Sequence, residues 1–205
     1  MFSSALVFVL FGAIVAFPVP TNPKDKKLYD ALPQEIQKFV QEMTGQDLKI
    51  LDDLDKETDD KIRNDPSFDI PKAIELIKPK SESLYTRVKT LHDALMNRVN
   101  GLSAEAKNFL TQTLDKLFHF DTLPTSDQKV QEIINIVKGL KNMSAAGKQD
   151  LYKAFPVIQM VFEDEKFQKV FSEIENMTPA EIMEYIKKHG IKLDFGKRDF
   201  MFGGQ

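Results

Sequence analysis

The chain of 205 residues carries 28 Lys and Arg against 31 Asp and Glu, so its formal net charge is −3, and it contains no Cys. Without cysteine it forms neither disulfides nor thiolate metal sites, and without a basic excess it lacks the general phosphate-binding surface of nucleic-acid-binding proteins. Its 16 Phe and 42% hydrophobic residues indicate a folded globular protein with one main domain.

The first sixteen residues predict a secretory signal peptide. Residues 1–16 contain no charged side chain, and residues 6–11 form a compact apolar run that is followed by small residues up to Ala16. Sixteen residues are too few to span a bilayer as a helix. We therefore expect cleavage near Ala16 and a secreted, extracellular protein, with residues 17–31 forming a proline-rich N-terminal segment ahead of the folded domain.

Residues 32–190 show the apolar spacing of helices from end to end. Nine apolar stripes with helical spacing lie within residues 36–43, 48–54, 70–77, 84–102, 109–118, 130–140, 151–162, 167–174 and 182–186. No hairpin turn between alternating runs indicates a sheet. The pattern predicts an all-α fold, a single irregular bundle of eight or nine short helices.

Capping residues agree with this division. Five residues each precede a stripe, as N-caps do: Thr44, Ser103, Ser126, Ser144 and Thr178. Gly101 and Gly190 stand where left-handed C-caps are expected. Beyond the last stripe, we expect residues 191–205 to form a flexible C-terminal tail.

The sequence offers no motif of a known catalytic site. It has no glycine-rich phosphate loop, no Gly-x-Ser-x-Gly and no His-Glu-x-x-His. A calcium loop counted from Asp53 would need Gly at position 6, where Thr58 stands, and Glu at position 12, where Asn64 stands. We therefore predict no catalysis, no metal site and no cofactor.

An ordered series of short motifs resembles the nematode fatty-acid and retinol-binding proteins. The matching segments, in the order and spacing of that family, are residues 32–44, 47–52, 80–85, 102–107, 143–148, 155–156 and 163–168. The resemblance runs from about residue 32 to residue 171, although Gly45 stands where the family has Pro. It implies that residues 32–190 form a helical lipid-binding domain with an internal apolar cavity for fatty acids and retinol, in a secreted carrier without catalysis.

Stripe centres within the matched region give candidates for the cavity wall. We predict that these apolar side chains line it: Phe39, Leu51, Leu91, Leu95, Phe109, Leu110, Leu114, Ile133, Val137, Phe155, Ile158 and Phe162. A fatty-acid carboxylate needs water or a cation near the mouth, because burying it unpaired costs too much free energy. Arg87, Lys89 and Lys107 are the candidates for that cation.

Further expectations concern modification, partners and an alternative function. Asn142-Met-Ser and Asn176-Met-Thr are acceptor sequences for N-glycosylation. We expect a monomer that binds fatty acids and retinol, contacts membranes transiently during transfer, and binds no nucleic acid. The alternative is a secreted helical protein-interaction module with a filled core and no lipid ligand, because an apolar helical stripe is ordinarily packed core.

Overall fold

The computed structural model describes residues 23–190, and the expected signal peptide and C-terminal tail lie outside these residues. Within them, α-helices follow one another with one 3-10 turn, Phe120–Thr122, and no strand. The helices are α1 (Pro23–Asp30), α2 (Gln34–Glu42), α3 (Gly45–Asn64), α4 (Ile70–Glu75), α5 (Glu82–Asn100), α6 (Ala104–Phe118), α7 (Ser126–Asn142), α8 (Ala145–Ala154), α9 (Pro156–Phe162), α10 (Glu165–Ile174) and α11 (Pro179–Lys188).

The all-α prediction is confirmed, with eleven helices among the described residues where the sequence showed nine stripes. One extra helix, α1, begins at Pro23 inside the segment expected only to be proline-rich. Proline is tolerated at the first helical position because the N–H that it lacks would have no partner there. The second extra helix arises because Pro156 divides the stripe at residues 151–162 into two helices, and Phe155 between them has an extended backbone with φ −134°.

Two long helices, α3 with 20 residues and α5 with 19, are tied together by an ion pair at the start of α3. The backbone N–H of Thr44 donates to Asp47 Oδ2 at 2.8 Å, and Asp47 N–H donates back to Thr44 Oγ1 at 3.2 Å. Arg87 of α5 donates from Nη2 to Asp47 Oδ1 at 2.8 Å. Burial raises the pKa of Asp47, but the hydrogen bonds from Arg87 and Thr44 outweigh it and lower the pKa.

Most of the predicted N-caps are confirmed. Side-chain oxygens accept hydrogen bonds from the first turn at Thr44, Ser144 and Thr178. Ser103 holds the cap position of α6 without such a bond. The prediction for Ser126 was wrong, because Thr125 caps α7 by accepting from Gln128 N at 3.2 Å and Ser126 is the first helical residue.

Glycine ends two helices in different ways. Gly190 has φ +62°, so the predicted left-handed conformation is confirmed there. Gly101 has φ −79° and ψ −8°, so the left-handed prediction was wrong at this position. Gly101 N–H instead donates to carbonyls of the last turn of α5, including that of Asn97 at 3.2 Å.

Helices α6 and α8 cap each other. Glu105 of α6 accepts hydrogen bonds from the backbone N–H of Ser144, at 3.0 Å, and from its hydroxyl. In return, Asp150 of α8 accepts from the backbone N–H of Ser103 at 2.5 Å. The Ser144 bonds lower the pKa of Glu105, and the Ser103 bonds lower that of Asp150. Two of the sequence segments that carry the family resemblance, residues 102–107 and 143–148, therefore meet at this contact.

None of the helices in residues 23–190 is long and apolar enough to cross a membrane. Within the same range, no three or more His, Asp and Glu side chains are grouped so that they could hold a metal ion.

Candidate functional site

The apolar interior consists of two clusters of buried side chains. The larger, the first cluster, is built from helices α1 to α9 and includes Phe39, Leu91 and Phe118. The smaller, the second cluster, lies between α7, α10 and α11, and its fully buried members are Val130, Ile134, Phe171 and Ile182. A main core with a smaller satellite cluster is common in packed domains, and the boundary between the two clusters is where this apolar interior is discontinuous.

Helix α7 contributes to both clusters and forms part of this boundary. Leu140 belongs to the first cluster, whereas Ile134 and Val137 belong to the second. Ile133 is half-buried and belongs to neither. At about 100° per residue, Ile133 lies about 40° from Val137 and about 20° from Leu140 around the helix. It therefore lies on the strip of α7 between the two clusters.

Aromatic rings also join the two clusters. Phe162 of α9 packs against the first cluster and Phe167 of α10 against the second. Their ring centroids are 6.1 Å apart, and Phe167 stacks on Phe171 at 6.3 Å. Phe162, Phe167 and Phe171 thus form a row of large apolar side chains that connects the two clusters, and apolar and aromatic side chains are the usual lining of ligand sites.

The structure distributes the twelve predicted cavity residues over this interior. Six are buried members of the first cluster: Phe39, Leu51, Leu91, Leu95, Leu110 and Phe155. Four are half-buried and pack against it: Phe109, Leu114, Ile158 and Phe162. Val137 packs against the second cluster, and Ile133 lies between the two. The half-buried members are the better cavity candidates, because a buried side chain in close contact on all sides fills space instead of lining it.

Helix α9 is apolar around most of its circumference and yet none of its residues is fully buried. Ile158 and Phe162 pack inward against the first cluster. Val157 and Met160 are half-buried, and Val161 is 38% exposed. A helix with so little buried surface costs less free energy to displace than its neighbours. Helix α9 is thus the weakest-packed wall of the interior.

The three predicted cations differ in what they contact. Arg87 is held by Asp47 and by the carbonyl oxygen of Glu42, at 2.8 Å and 3.0 Å. Lys89 is exposed and lies 3.4 Å from Asp93. Lys107, on α6, is half-buried, and its ammonium has no hydrogen-bond or ion-pair partner within the described part of the chain.

A second arginine on α5, Arg98, was not among the predicted cations. Arg98 Nη2 donates to both carboxylate oxygens of Glu35, at 2.7 Å and 2.9 Å, and Nη1 donates to the carbonyl of Ala154 at 3.3 Å. Arg98 follows Leu91 by seven residues and Leu95 by three, so it lies on the edge of the buried face of α5. That spacing from predicted cavity residues was the available sequence signal.

Both glycosylation candidates are exposed. Asn142 is the last residue of α7, and Asn176 lies in the connection between α10 and α11. The hydroxyls of their acceptor sequences, on Ser144 and Thr178, cap α8 and α11. Glycosylation at either residue stays a prediction.

Comparison with known proteins agrees with the motif series. The family model described as "Nematode fatty acid retinoid binding protein (Gp-FAR-1)" matches residues 26–174. The chain is 24% identical over 182 residues to "Fatty-acid and retinol-binding protein 1" of Loa loa, covering 84% of this chain and 97% of the relative. The protein of the same name from Caenorhabditis elegans is 24% identical over 185 residues, covering 84% and 98%.

A third relative, from Wuchereria bancrofti, carries the same name and is 24% identical over 169 residues, covering 80% of this chain and 90% of the relative. No solved structure matches the chain significantly. The family model spans most of the chain, including both segments that cap each other between α6 and α8. The chain therefore belongs to the nematode fatty acid and retinoid binding protein family.

Proposed function

We propose that this protein is a secreted carrier that binds fatty acids and retinol non-covalently in an internal apolar cavity. The observation that carries the proposal is membership of a family named for binding these lipids, over residues 26–174. The divided apolar interior supports it, with Ile133 on α7 and Phe162 on α9 at the boundary between the two clusters. The apolar N-terminal run at residues 6–11 supports secretion.

Burial of a hydrocarbon chain supplies enough free energy for such binding. Each methylene contributes roughly 0.8 kcal/mol, so about fourteen contribute on the order of 11 kcal/mol before costs. Ordering the chain and losing its free motion offset several kcal/mol of this. The remainder corresponds to micromolar or somewhat tighter affinity, which suits a carrier that must load and release.

Helix α9 is the proposed route of entry. Its side chains are the least buried of the walls around the interior, and Val161 faces solvent. An outward shift of α9 would carry Ile158 and Phe162 away from the first cluster and so open it. Transient contact of the exposed apolar residues with a membrane would favour this shift, because it removes apolar surface from water.

Native mass spectrometry of protein purified from a lipid-rich host tests the proposal. Co-purified fatty acid, and displacement of a fluorescent fatty acid by unlabelled lipid, are the expected results. The native mass also reports the oligomeric state, which we propose to be monomeric. A ligand-free mass with no displacement would reject lipid carriage and favour the protein-interaction module with a filled core.

A further inference from the structure

Helix α9 is tied to neighbouring helices at both of its ends. None of its residues is fully buried, and Val161 is 38% exposed. At the carboxyl end, the side-chain amide of Gln168, on α10, donates to the carbonyl of Phe162. At the amino end, Arg98 of α5 donates from Nη1 at 3.3 Å to the carbonyl of Ala154, the last residue of α8. With so little buried surface of its own, α9 depends on these end contacts to stay in place.

The Ala154 carbonyl needs a donor from outside the helix. The last carbonyls of an α-helix have no N–H partner within it. Pro156 has no N–H to offer, and the N–H of Ile158 donates to the carbonyl of Phe155 at 3.0 Å. Cationic side chains stabilise helix carboxyl ends both by hydrogen bonding and through the helix dipole. Arg98 therefore caps α8 from another helix and fixes the junction between α8 and α9.

The same guanidinium is anchored in the body of the molecule. Arg98 Nη2 donates to both carboxylate oxygens of Glu35, at 2.7 Å and 2.9 Å, and Glu35 lies in the first turn of α2, which packs against α5. Burial raises the pKa of Glu35, but hydrogen bonds from its own backbone N–H and from Arg98 outweigh it and lower the pKa. The carboxylate is therefore ionised at neutral pH, and such charge-assisted bonds are stronger than neutral ones. Arg98 thus links the loosely packed α9 to α2 and α5.

This link affects the opening of α9 in a particular way. Outward movement at the α8–α9 junction would take the Ala154 carbonyl away from Arg98, so the hydrogen bond exists only while α9 is closed. An interaction present only in the closed state lowers the population of the open state. Because Arg98 bonds to the protein and not to the lipid, it stabilises the closed state equally with and without lipid. It therefore slows entry and exit by the same factor and leaves the affinity almost unchanged.

We infer, building on the lipid carriage and the entry route proposed above, that the bridge Glu35–Arg98–Ala154 is a latch on α9 that sets how fast lipid enters and leaves, and not how tightly it binds. Arg98 is a positioning residue, since it acts on lipid exchange only through the α8–α9 junction. Glu35 orients Arg98 and has no separate effect on α9.

Hydrogen–deuterium exchange of the lipid-free mature chain tests the latch directly. Arg98→Met keeps an apolar side chain of similar length and removes all the donors. We expect the amides of residues 158–163 to exchange about tenfold faster in this variant, while those of α5 stay protected. Arg87→Met is the matched control, because Arg87 is on the same helix and likewise bonds a carboxylate and a carbonyl, those of Asp47 and Glu42. It should lower the melting temperature without changing exchange in α9.

Stopped-flow measurements with a fluorescent fatty acid test the effect on lipid exchange. In Arg98→Met, the association and dissociation rate constants should both rise about tenfold, with the Kd changed less than about twofold. Glu35→Gln should shift both rate constants in the same direction by about threefold, because a neutral amide holds the guanidinium less firmly. The double variant should match Arg98→Met alone, since Glu35 acts through Arg98. Melting temperatures establish that each variant is folded, and Glu35→Gln decides the test if Arg98→Met does not fold.

Three results would overturn the inference while leaving lipid carriage intact. The first is wild-type exchange of the α9 amides in folded Arg98→Met or, where that variant does not fold, in Glu35→Gln. The second is equal acceleration of α9 in Arg87→Met, which would indicate a general loosening. The third is faster exchange of α9 with unchanged lipid rate constants. A wild-type protein that binds no lipid would instead reject lipid carriage, and hydrogen exchange would still decide whether Arg98 holds α9.

Discussion

The carboxylate of Asp59 is buried, and its hydrogen bonds do not fully replace the hydration that it loses. Asp59, on α3, is only 5% exposed, and its Oδ1 has no hydrogen-bond partner. Burial first, and then the nearby charge of Asp121, raise the pKa of Asp59, while Arg63 lowers it in part. Asp59 belongs to an acidic stretch of α3 that also contains Asp52, Asp53 and Asp60. Those three are exposed, but Asp59 is not.

Asp59→Asn should change how stability depends on pH. Since the folded-state pKa of Asp59 is raised, the wild type loses stability from this group as pH rises from its unfolded pKa, about 3.9, through its folded pKa. Asn does not titrate and avoids that loss. We expect the variant to gain about 1 kcal/mol on the wild type at pH 7 and less at pH 4. Urea unfolding at both pH values measures this, and a difference that does not change with pH would contradict it.

Ile133 and Ile134, adjacent on α7, allow a matched test of the cavity wall. Ile134 is 4% exposed inside the second cluster, whereas Ile133 is half-buried between the clusters. Ile134→Trp should overpack the cluster and cost about 1–3 kcal/mol of stability. Ile133→Trp should cost less stability and reduce binding of a fluorescent fatty acid at least about tenfold, because the indole occupies the site. If Ile133→Trp unfolds as readily as Ile134→Trp and still binds lipid, Ile133 is packed core.

Single residues were predictable where periodicity decides their environment. Spacing alone placed Leu91, Leu95 and Phe39 in the interior, and all three are buried. Spacing did not separate side chains that line a cavity from side chains that fill the core, because both kinds lie on the same helical stripe. The pairing of Arg98 with Glu35 was out of reach as well, since the two are 63 positions apart in the chain and meet only through tertiary packing.

At the scale of secondary-structure elements, the mutual caps of α6 and α8 predict that a side chain at Gly147 destabilises the fold. An added Cβ there would lie 2.5 Å from Glu105 Oε2 and 2.9 Å from Met143 Cγ. Because Glu105 is held by Ser144, it cannot move aside without breaking the cap. Gly147→Ala should therefore lower the free energy of unfolding by about 1 kcal/mol, despite the better helix propensity of Ala.

The matched control for this prediction is Gly45→Ala. Gly45 lies in the first turn of α3, its φ is not positive, and nothing lies within 4 Å of an added Cβ. Alanine there should be neutral or stabilise by a few tenths of a kcal/mol. Thermal unfolding of the two variants side by side gives the comparison, and equal melting temperatures would show that Glu105 relaxes freely.

Helix boundaries could be predicted where a side-chain cap marks them. The capping boxes at Thr44 and Thr178 mark the starts of α3 and α11. The break at Pro156 was missed because Leu151 and Ile158 continue one apolar stripe across it. The spacing of apolar residues carries no information about the backbone hydrogen bond that proline cannot donate. The distances between helix axes and the mutual caps depend on the assembled fold.

For the whole molecule, the proposed cavity carries a thermodynamic cost when it is empty. A dry void of about 300 Å³, at the small end for ligand sites, would cost about 7 kcal/mol at about 24 cal/mol per Å³. That is comparable with the whole stability of a domain. We therefore expect purified protein to hold host lipid or water, and thorough delipidation at constant protein concentration to lower its melting temperature. Re-addition of fatty acid should restore it, and an unchanged melting temperature would argue for a filled core.

The general architecture was accessible from the sequence, and the division of the interior was not. Helical spacing predicted the all-α bundle, and the ordered motifs from Leu32 to Phe171 predicted the family. The two clusters arise because α7 has apolar residues on two faces, with Val130 and Ile134 on one and Leu140 on the other. A sequence shows both faces but not which helices cover them.

The small size of the second cluster has a consequence for how the molecule opens. This core is too small to stabilise a folded unit by itself. Helices α10 and α11 therefore depend on packing against α7, through the buried side chains Val130, Ile134, Phe171 and Ile182. Amide hydrogens in α10 and α11 should thus exchange with deuterium through a partial opening that leaves α5 protected. These two carboxyl-terminal helices would then detach before the amino-terminal body unfolds.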